Sequence, residues 1–179
     1  MTDEKEYVLE PLKNWFQRQK AKWQLMEPKN DRYETGWDLE ARRKNEDLLI
    51  EAKFINRSFL SSFTALVTAP LAKRPQRFMK KKYRSWSHGI CWAIGTRYQL
   101  QNIYQILFDY FARNLIFWRH YGQDLHMKYI FFVKDNKVAK ILFDDMLEKA
   151  SIYERKTKDK ALTEKRKIAE ELMEGLKYA

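Results

Sequence analysis

Residues 37–54 read WDLEARRKNEDLLIEAKF, two strand-like runs separated by a sharply polar break. Trp37 to Arg43 and Leu48 to Arg57 have strand composition, and the break between them suits a tight turn. If Lys44 and Asn45 are the two turn residues, the antiparallel register sets Asp38 directly opposite Glu51. Side chains alternate along a strand, so Lys53 shares the face of Glu51, while Ile50, Ala52 and Phe54 share the other. Asn suits a turn position at positive φ, but Lys-Asn is a weaker signal than Asn-Gly, and a longer loop with a shifted register is the competing arrangement. In the tight-turn register, one face of the hairpin collects two carboxylates and an ammonium.

Working outward, Asp3 to Lys22 reads as a helix, with Val8, Leu12, Trp15 and Gln19 on one stripe and Leu9 and Phe16 widening it. Pro11 either kinks that helix or marks its start, with Glu10 near the cap. Trp23 to Met26 is a candidate first strand, and Gly36 permits the entry into the hairpin. After the hairpin, Phe59, Phe63, Leu66, Val67 and Leu71 predict a helix capped by Asn56 or Ser58 and ending at Pro70 or Pro75. Gly89 to Thr96 reads as a buried strand, and Leu100 to Trp118 as one long amphipathic helix. Lys128 to Val133 predicts another strand. Val138 to Tyr153 predicts a helix, with a hairpin return as the competing form.

Two hard carboxylates suit Mg2+ or Mn2+, which are typically held by one or two carboxylates together with waters and substrate phosphate. A phosphodiester is shielded from hydroxide by its own charge, and such a metal neutralises that charge while acidifying a bound water. Asp38 and Glu51 are therefore the candidate metal ligands, with the backbone carbonyl of Ala52 as a further one. Lys53 can orient the attacking water, help to deprotonate it, or stabilise developing negative charge. The ordinary alternative is a solvated polar face, because a chain with 33% charged residues produces acid-x-lysine triplets by chance. Against that alternative, Glu51 and Lys53 lie inside an otherwise apolar strand, LLIEAKFI.

On GWDLEAR and LLIEAKF the sequence resembles the PD-(D/E)XK nuclease superfamily, also called the restriction endonuclease-like fold. Asp38 matches the acidic strand motif, and Glu51 and Lys53 match the (D/E)XK motif; Gly36 stands where the family name implies proline. The resemblance implies an αβββαβ core over about residues 3–97, a central mixed sheet flanked by helices, and additional helices towards the C-terminus. The chain beyond that match is read from its own residues: a nuclease-like domain is taken over 1–155, and the charge-rich, helix-permissive remainder as a charged helical extension over 156–179. The resemblance also implies a first-helix acid, for which Glu10 is the better candidate and Glu6 the second.

The net charge of +11, from 35 Lys and Arg against 24 Asp and Glu, points to a polyanionic partner, nucleic acid ahead of an anionic membrane surface. The basic-aromatic stretch after the second predicted helix supplies candidate phosphate contacts at Lys73, Arg74, Arg77, Lys80, Lys81, Lys82 and Arg84. Tyr83 and Trp86 are available for base stacking; a solvated loop with its aromatics turned inward is the alternative. Apolar runs are far shorter than the ~20 residues of a membrane span, and MTDEKEYVLE is acidic rather than signal-like. The lone Cys91 makes no internal disulfide, which suits a reducing, cytoplasmic setting. His88, His120 and His126 have no repeated metal spacing, and there is no glycine-rich phosphate loop, nucleophile elbow or zinc pattern. The expectation is a Mg2+- or Mn2+-dependent nuclease acting on DNA in preference to RNA, with a homodimer plausible for cutting two strands. A catalytically silent nucleic-acid-binding module and an assembly subunit are the rival readings.

Overall fold

The computed structural model of the protein describes residues 3–27, 36–78 and 88–179, with the side chains of 74–78 outside the description. A π-helical segment (Lys5–Leu9) runs into α1 (Glu10–Arg18), followed by β1 (Gln24–Met26), β2 (Leu39–Arg43), β3 (Glu46–Ile55), α2 (Phe59–Phe78) and β4 (His88–Thr96). Then come α3 (Leu100–Arg113), α4 (Leu115–Leu125), β5 (Met127–Lys134), β6 (Lys137–Leu142), α5 (Phe143–Thr157) and α6 (Leu162–Leu172). The strands form one mixed sheet in sequence order, antiparallel at both margins and parallel where β3, β4 and β5 meet. Parallel pairs need crossover connections, which α2 and the α3–α4 pair provide. Every residue of β4, the strand between two parallel neighbours, is buried.

The even-numbered side of β3 meets the N-terminal helix: Val8, Leu12 and Phe16 pack on Ile50, Ala52, Ala93 and Phe131. The opposite face carries the larger core, where Trp92, Phe108, Phe111 and Phe143 are inaccessible to solvent. Cys91 lies on the α1 side, fully buried, and burial pushes its thiol up to about 12. It has the environment of a core residue rather than a nucleophile.

The hairpin register follows the two-residue turn: Leu39 faces Ile50, Ala41 faces Leu48, and Arg43 faces Glu46. The turn chemistry differs from expectation. Neither Lys44 nor Asn45 takes positive φ; the left-handed pair is Asp135 and Asn136, at φ 49° and 60°, between β5 and β6. Two consecutive left-handed residues match the twist of a tight hairpin, so the hairpin return prevails from Lys137 to Leu142 and the helix starts only at Phe143. An ion pair between Arg43 and Glu46 at 2.5 Å flanks the Lys44–Asn45 turn instead.

Two helix boundaries also depart from expectation. The predicted long helix breaks at Asn114, whose backbone leaves the helical region (φ −152°) and whose side chain accepts from the Phe117 amide at 3.1 Å. Asparagine here caps a new helix instead of continuing the old one. Conversely, α2 passes through Pro70 and Pro75 to Phe78. The Tyr121 hydroxyl donates to the Val67 carbonyl at 2.8 Å, tying this stretch of α2 to α4. At the start of that helix, Ser58 accepts from Ser61 N–H at 3.4 Å, whereas the Asn56 side chain donates to Asp3.

Pro11 stands in the first turn of α1, so the regular helix begins there, directly after the π segment. The turn before it widens into the π segment, in which Glu10 N–H bonds Lys5 O. A ring that removes one donor and crowds the preceding turn is accommodated by this wider winding. The C-terminal residues, charged as they are, join the main core through Ala169 and Met173, and Ala179 exchanges backbone hydrogen bonds with Val138 at 2.9 and 3.1 Å.

The π segment lies close against β4 at Gly95, where a Cβ would stand 2.6 Å from Val8 Cγ2 and 3.2 Å from Tyr7 O. Gly95→Ala is expected to push that segment off the sheet and to destabilise the fold by about 1–3 kcal/mol, as overpacking does. Denaturant unfolding of the variant, read as a fall in the midpoint, checks this.

Candidate functional site

The site forms where β3 outruns β2. The ladder between them ends at Leu39–Ile50, so Glu51 to Ile55 are paired along β4 alone among the described strands. Asp38 sits one residue ahead of β2, where continuing the register sets it opposite Glu51. Its Oδ2 accepts the Ala52 amide hydrogen at 2.8 Å, taking up a donor that the β2 backbone no longer reaches. The N–H and C=O of one strand residue point to the same neighbouring strand, so the Ala52 carbonyl is directed towards this open edge as well.

Glu51 is 4% exposed, a carboxylate in a strand of apolar neighbours. Such a group needs a compensating charge. Lys73, on α2, brings its ammonium onto Glu51 Oε2, and Lys53 Nζ stands 3.9 Å from Oε1. Lys73 also lies 5.2 Å from the ring of the buried Trp37, the residue immediately before Asp38. Lys53 donates to Glu4 Oε2 at 3.1 Å. Three carboxylates and two ammonium groups from the first helical segment, the hairpin and α2 thus form one network.

Burial, and then the charge of Asp38, raise the Glu51 carboxyl above the usual range, against the opposing pull of Lys73 and Lys53. Burial also raises Glu4, which Lys53 partly offsets. For Lys53, burial alone favours the neutral amine, but Glu4, Asp38 and Glu51 outweigh it and the pKa moves up. The ammonium form is the one this network stabilises.

Asp38, Glu51, Lys53 and Ala52 therefore come together as the sequence reading required. The first-helix acids do not. Glu10 is bound to Lys13 at 2.5 Å, a lysine shared with Glu27, and Glu6 is exposed. The carboxylate that reaches the site is Glu4, which precedes Val8 by the same four-residue step that separates Val8 from Leu12. Extending the apolar stripe one step towards the N-terminus would have found it. Lys73, read as a phosphate contact, is a partner of Glu51. Arg74 and Arg77 lie on α2 with side chains outside the described residues, and Lys80, Lys81, Lys82 and Arg84 lie outside them altogether. His88 and His126 approach each other, with ring centroids 6.1 Å apart, at the far end of β3, and His120 is exposed.

Among the described residues, no group of three or more His, Cys, Asp or Glu is arranged to hold a metal ion. The donors at the strand end are the Asp38 and Glu51 carboxylates and the Ala52 carbonyl, a hard-oxygen set of the size Mg2+ uses when waters complete its shell. Burial first, and the Asp38 charge second, raise the Glu51 carboxyl, and a cation between the two acids would favour its charged form. The residues fit a divalent cation. No protein-family model, curated protein or solved structure matches the chain, and no helix among the described residues is long and apolar enough to cross a membrane.

Since the folded Glu51 carboxyl titrates above its unfolded value, the native state binds the extra proton. Stability therefore falls as pH rises from the ordinary glutamate range towards the folded pKa. Asp38→Asn keeps an acceptor for Ala52 N–H while removing the charge, so the Glu51 titration should move down and this slope should flatten. Carbon-detected NMR titration of chelator-treated protein measures the shift; an unmoved Glu51 would show that the two acids do not interact.

Proposed function

We propose that the protein is a divalent-metal-dependent nuclease that hydrolyses phosphodiester bonds, with DNA as the preferred substrate class. The carrying observation is the meeting of Asp38, Glu51 and Lys53 at a strand end where a backbone carbonyl is also directed outward. The element order from α1 through β4, helix, three strands, helix and strand, supports a restriction endonuclease-like core of the PD-(D/E)XK type. The net charge of +11 supports a polyanionic substrate.

Asp38, Glu51 and the Ala52 carbonyl would hold Mg2+ or Mn2+, which when bound supplies charge neutralisation and an acidified water. The chain's own groups do the positioning. Lys53 presents a fixed positive charge beside Glu51, suited to orienting a water and to stabilising negative charge that builds on the phosphoryl oxygens. Glu4 holds the Lys53 ammonium in that place and so acts through it. Lys73 delivers a second positive charge from α2 to the same carboxylate, where a phosphate would approach. Trp37 walls the site and excludes water from one side.

A second reading, a silent nucleic-acid-binding module of the same architecture, is favoured by the Lys73–Glu51 pair, because a protein ammonium already meets the charge a metal would otherwise meet. Plasmid, linear and branched DNA incubated with Mg2+ or Mn2+ separate the two. Under the nuclease reading, cleavage is lost in Glu51→Gln and falls at least about a hundredfold in Lys53→Ala, the range for one positioned catalytic group. Salt-sensitive DNA binding with no metal-dependent cleavage would favour the silent module. Cleavage unchanged by Lys53→Ala would sink the site assignment.

A further inference from the structure

On the sheet face that carries α1, at the turn end of the hairpin and away from Glu51, lies a cleft of about 390 Å³. Its floor is apolar, with Phe16, Leu48 and Phe131 each no more than 1% exposed. Its walls are aromatic and reachable from solvent: Trp15 at the end of α1, Trp23 before β1, and Tyr129 on β5 are all half-buried. The rings brace one another edge-on, Trp15 against Phe131 at 5.7 Å between centroids and Trp23 against Phe16 at 5.1 Å. Each wall ring also has a cation over it. Arg43 lies 4.7 Å from the Trp23 ring, and Lys140 lies 4.5 Å from Tyr129 and 5.8 Å from Trp15.

The charge around this cleft is unbalanced. Its lining contains a single carboxylate, Glu46, 5% exposed, which is held by Lys128 and by Arg43 at 2.5 Å. Burial alone would raise the Glu46 carboxyl, but these two partners outweigh it and hold it below the usual range, so Glu46 is spent on cations. Lys140, Arg18 and Lys20 line the same cleft, are exposed, and have no carboxylate partner among the described residues. An anion without a ring would leave three aromatic walls unused. An uncharged ring would leave the cations unused.

A nucleotide satisfies both, because every base offers a π face and every phosphate a charge. We propose that this cleft binds an unpaired nucleotide, its base against Trp15, Trp23 and Tyr129 and its phosphate met by Arg18, Lys20 and Lys140. Lys140 is a long side chain at the rim and can swing from ring to phosphate as the base enters, while Arg43 stays on Glu46. The volume suits a single nucleotide, whether free or at the unpaired end of a strand. The proposal shares with the nuclease reading only the choice of nucleic acid, and it concerns the other end and other face of β3.

The test reads binding in the full chain with chelator present, so that cleavage plays no part. Tryptophan fluorescence is followed on adding thymidine monophosphate, a short oligothymidylate, a blunt duplex or inorganic phosphate. Quenching by the mononucleotide supports a site for a free nucleotide, and quenching by the oligothymidylate alone supports a strand end; in either case phosphate should have no effect. Paired substitution of Arg18→Glu and Lys140→Glu, both at exposed positions, should weaken that binding at least about tenfold. Trp23→Leu should remove much of the quenching, with circular dichroism confirming the fold. Absence of quenching by both nucleotide ligands overturns the inference, as does an equal loss of duplex and single-strand binding with quenching intact in Trp23→Leu. Glu51→Gln should leave quenching unchanged, so a failed nuclease assay and a failed cleft are told apart.

Discussion

The bond from the Ala52 amide to Asp38 is the constraint on which the candidate site depends. A strand that outruns its antiparallel neighbour exposes backbone donors and acceptors, and a buried donor left unmet costs about 1–3 kcal/mol. Asp38 meets that donor with a side chain, and in doing so its charge is held beside Glu51. The same arrangement leaves the Ala52 carbonyl directed to the open edge and gives the first helical segment room to reach Lys53 with Glu4. Backbone satisfaction and the gathering of functional groups are one arrangement here.

The sheet explains why these charges sit where they are costly. Its two faces are both covered, α1 and the π segment on one side and α2 to α6 on the other, so a polar residue on β3 has no outward face. Glu51 is therefore buried by the same packing that buries Leu49 and Ile55. It stays compensated only because α2 runs long enough to bring Lys73 in and because Lys53 lies two residues on. Breaking one partner of such a network strands a buried charge, whereas the intact network adds little net stability.

β3 carries two buried glutamates, Glu46 at its start and Glu51 just past the point where β2 ends, and the two differ in their surroundings. At the turn, Glu46 is enclosed by Lys128 and Arg43 and lies below the usual carboxyl range. Past the end of β2, burial and then the charge of Asp38 hold Glu51 above that range. The first is the pattern of a structural ion pair that organises aromatic and cationic walls. The second is a buried acid whose neighbouring acid and two ammonium groups leave its carboxyl raised.

Hydrophobic alternation and turn length in the sequence determined the hairpin, its register and the one-face placement of Glu51 and Lys53, because strand periodicity is local and a two-residue loop leaves one register. The glycine-bracketed run at Gly89–Thr96 likewise determined a buried strand. Tertiary structure decided what local pattern leaves undetermined. Asn114 fits a helix interior by spacing but caps α4 instead, and α2 continues through Pro70 with the Tyr121 hydroxyl packed onto its Val67 carbonyl. Glu4 replaced Glu10 because the π segment before Pro11 lies against Gly95 and brings the start of the chain over the end of β3. Lys73 became a partner of Glu51 because α2 returns along the hairpin's charged face. Neither contact is encoded in spacing, since each joins residues far apart in the chain, and only packing sets which of many similar acids and lysines meet.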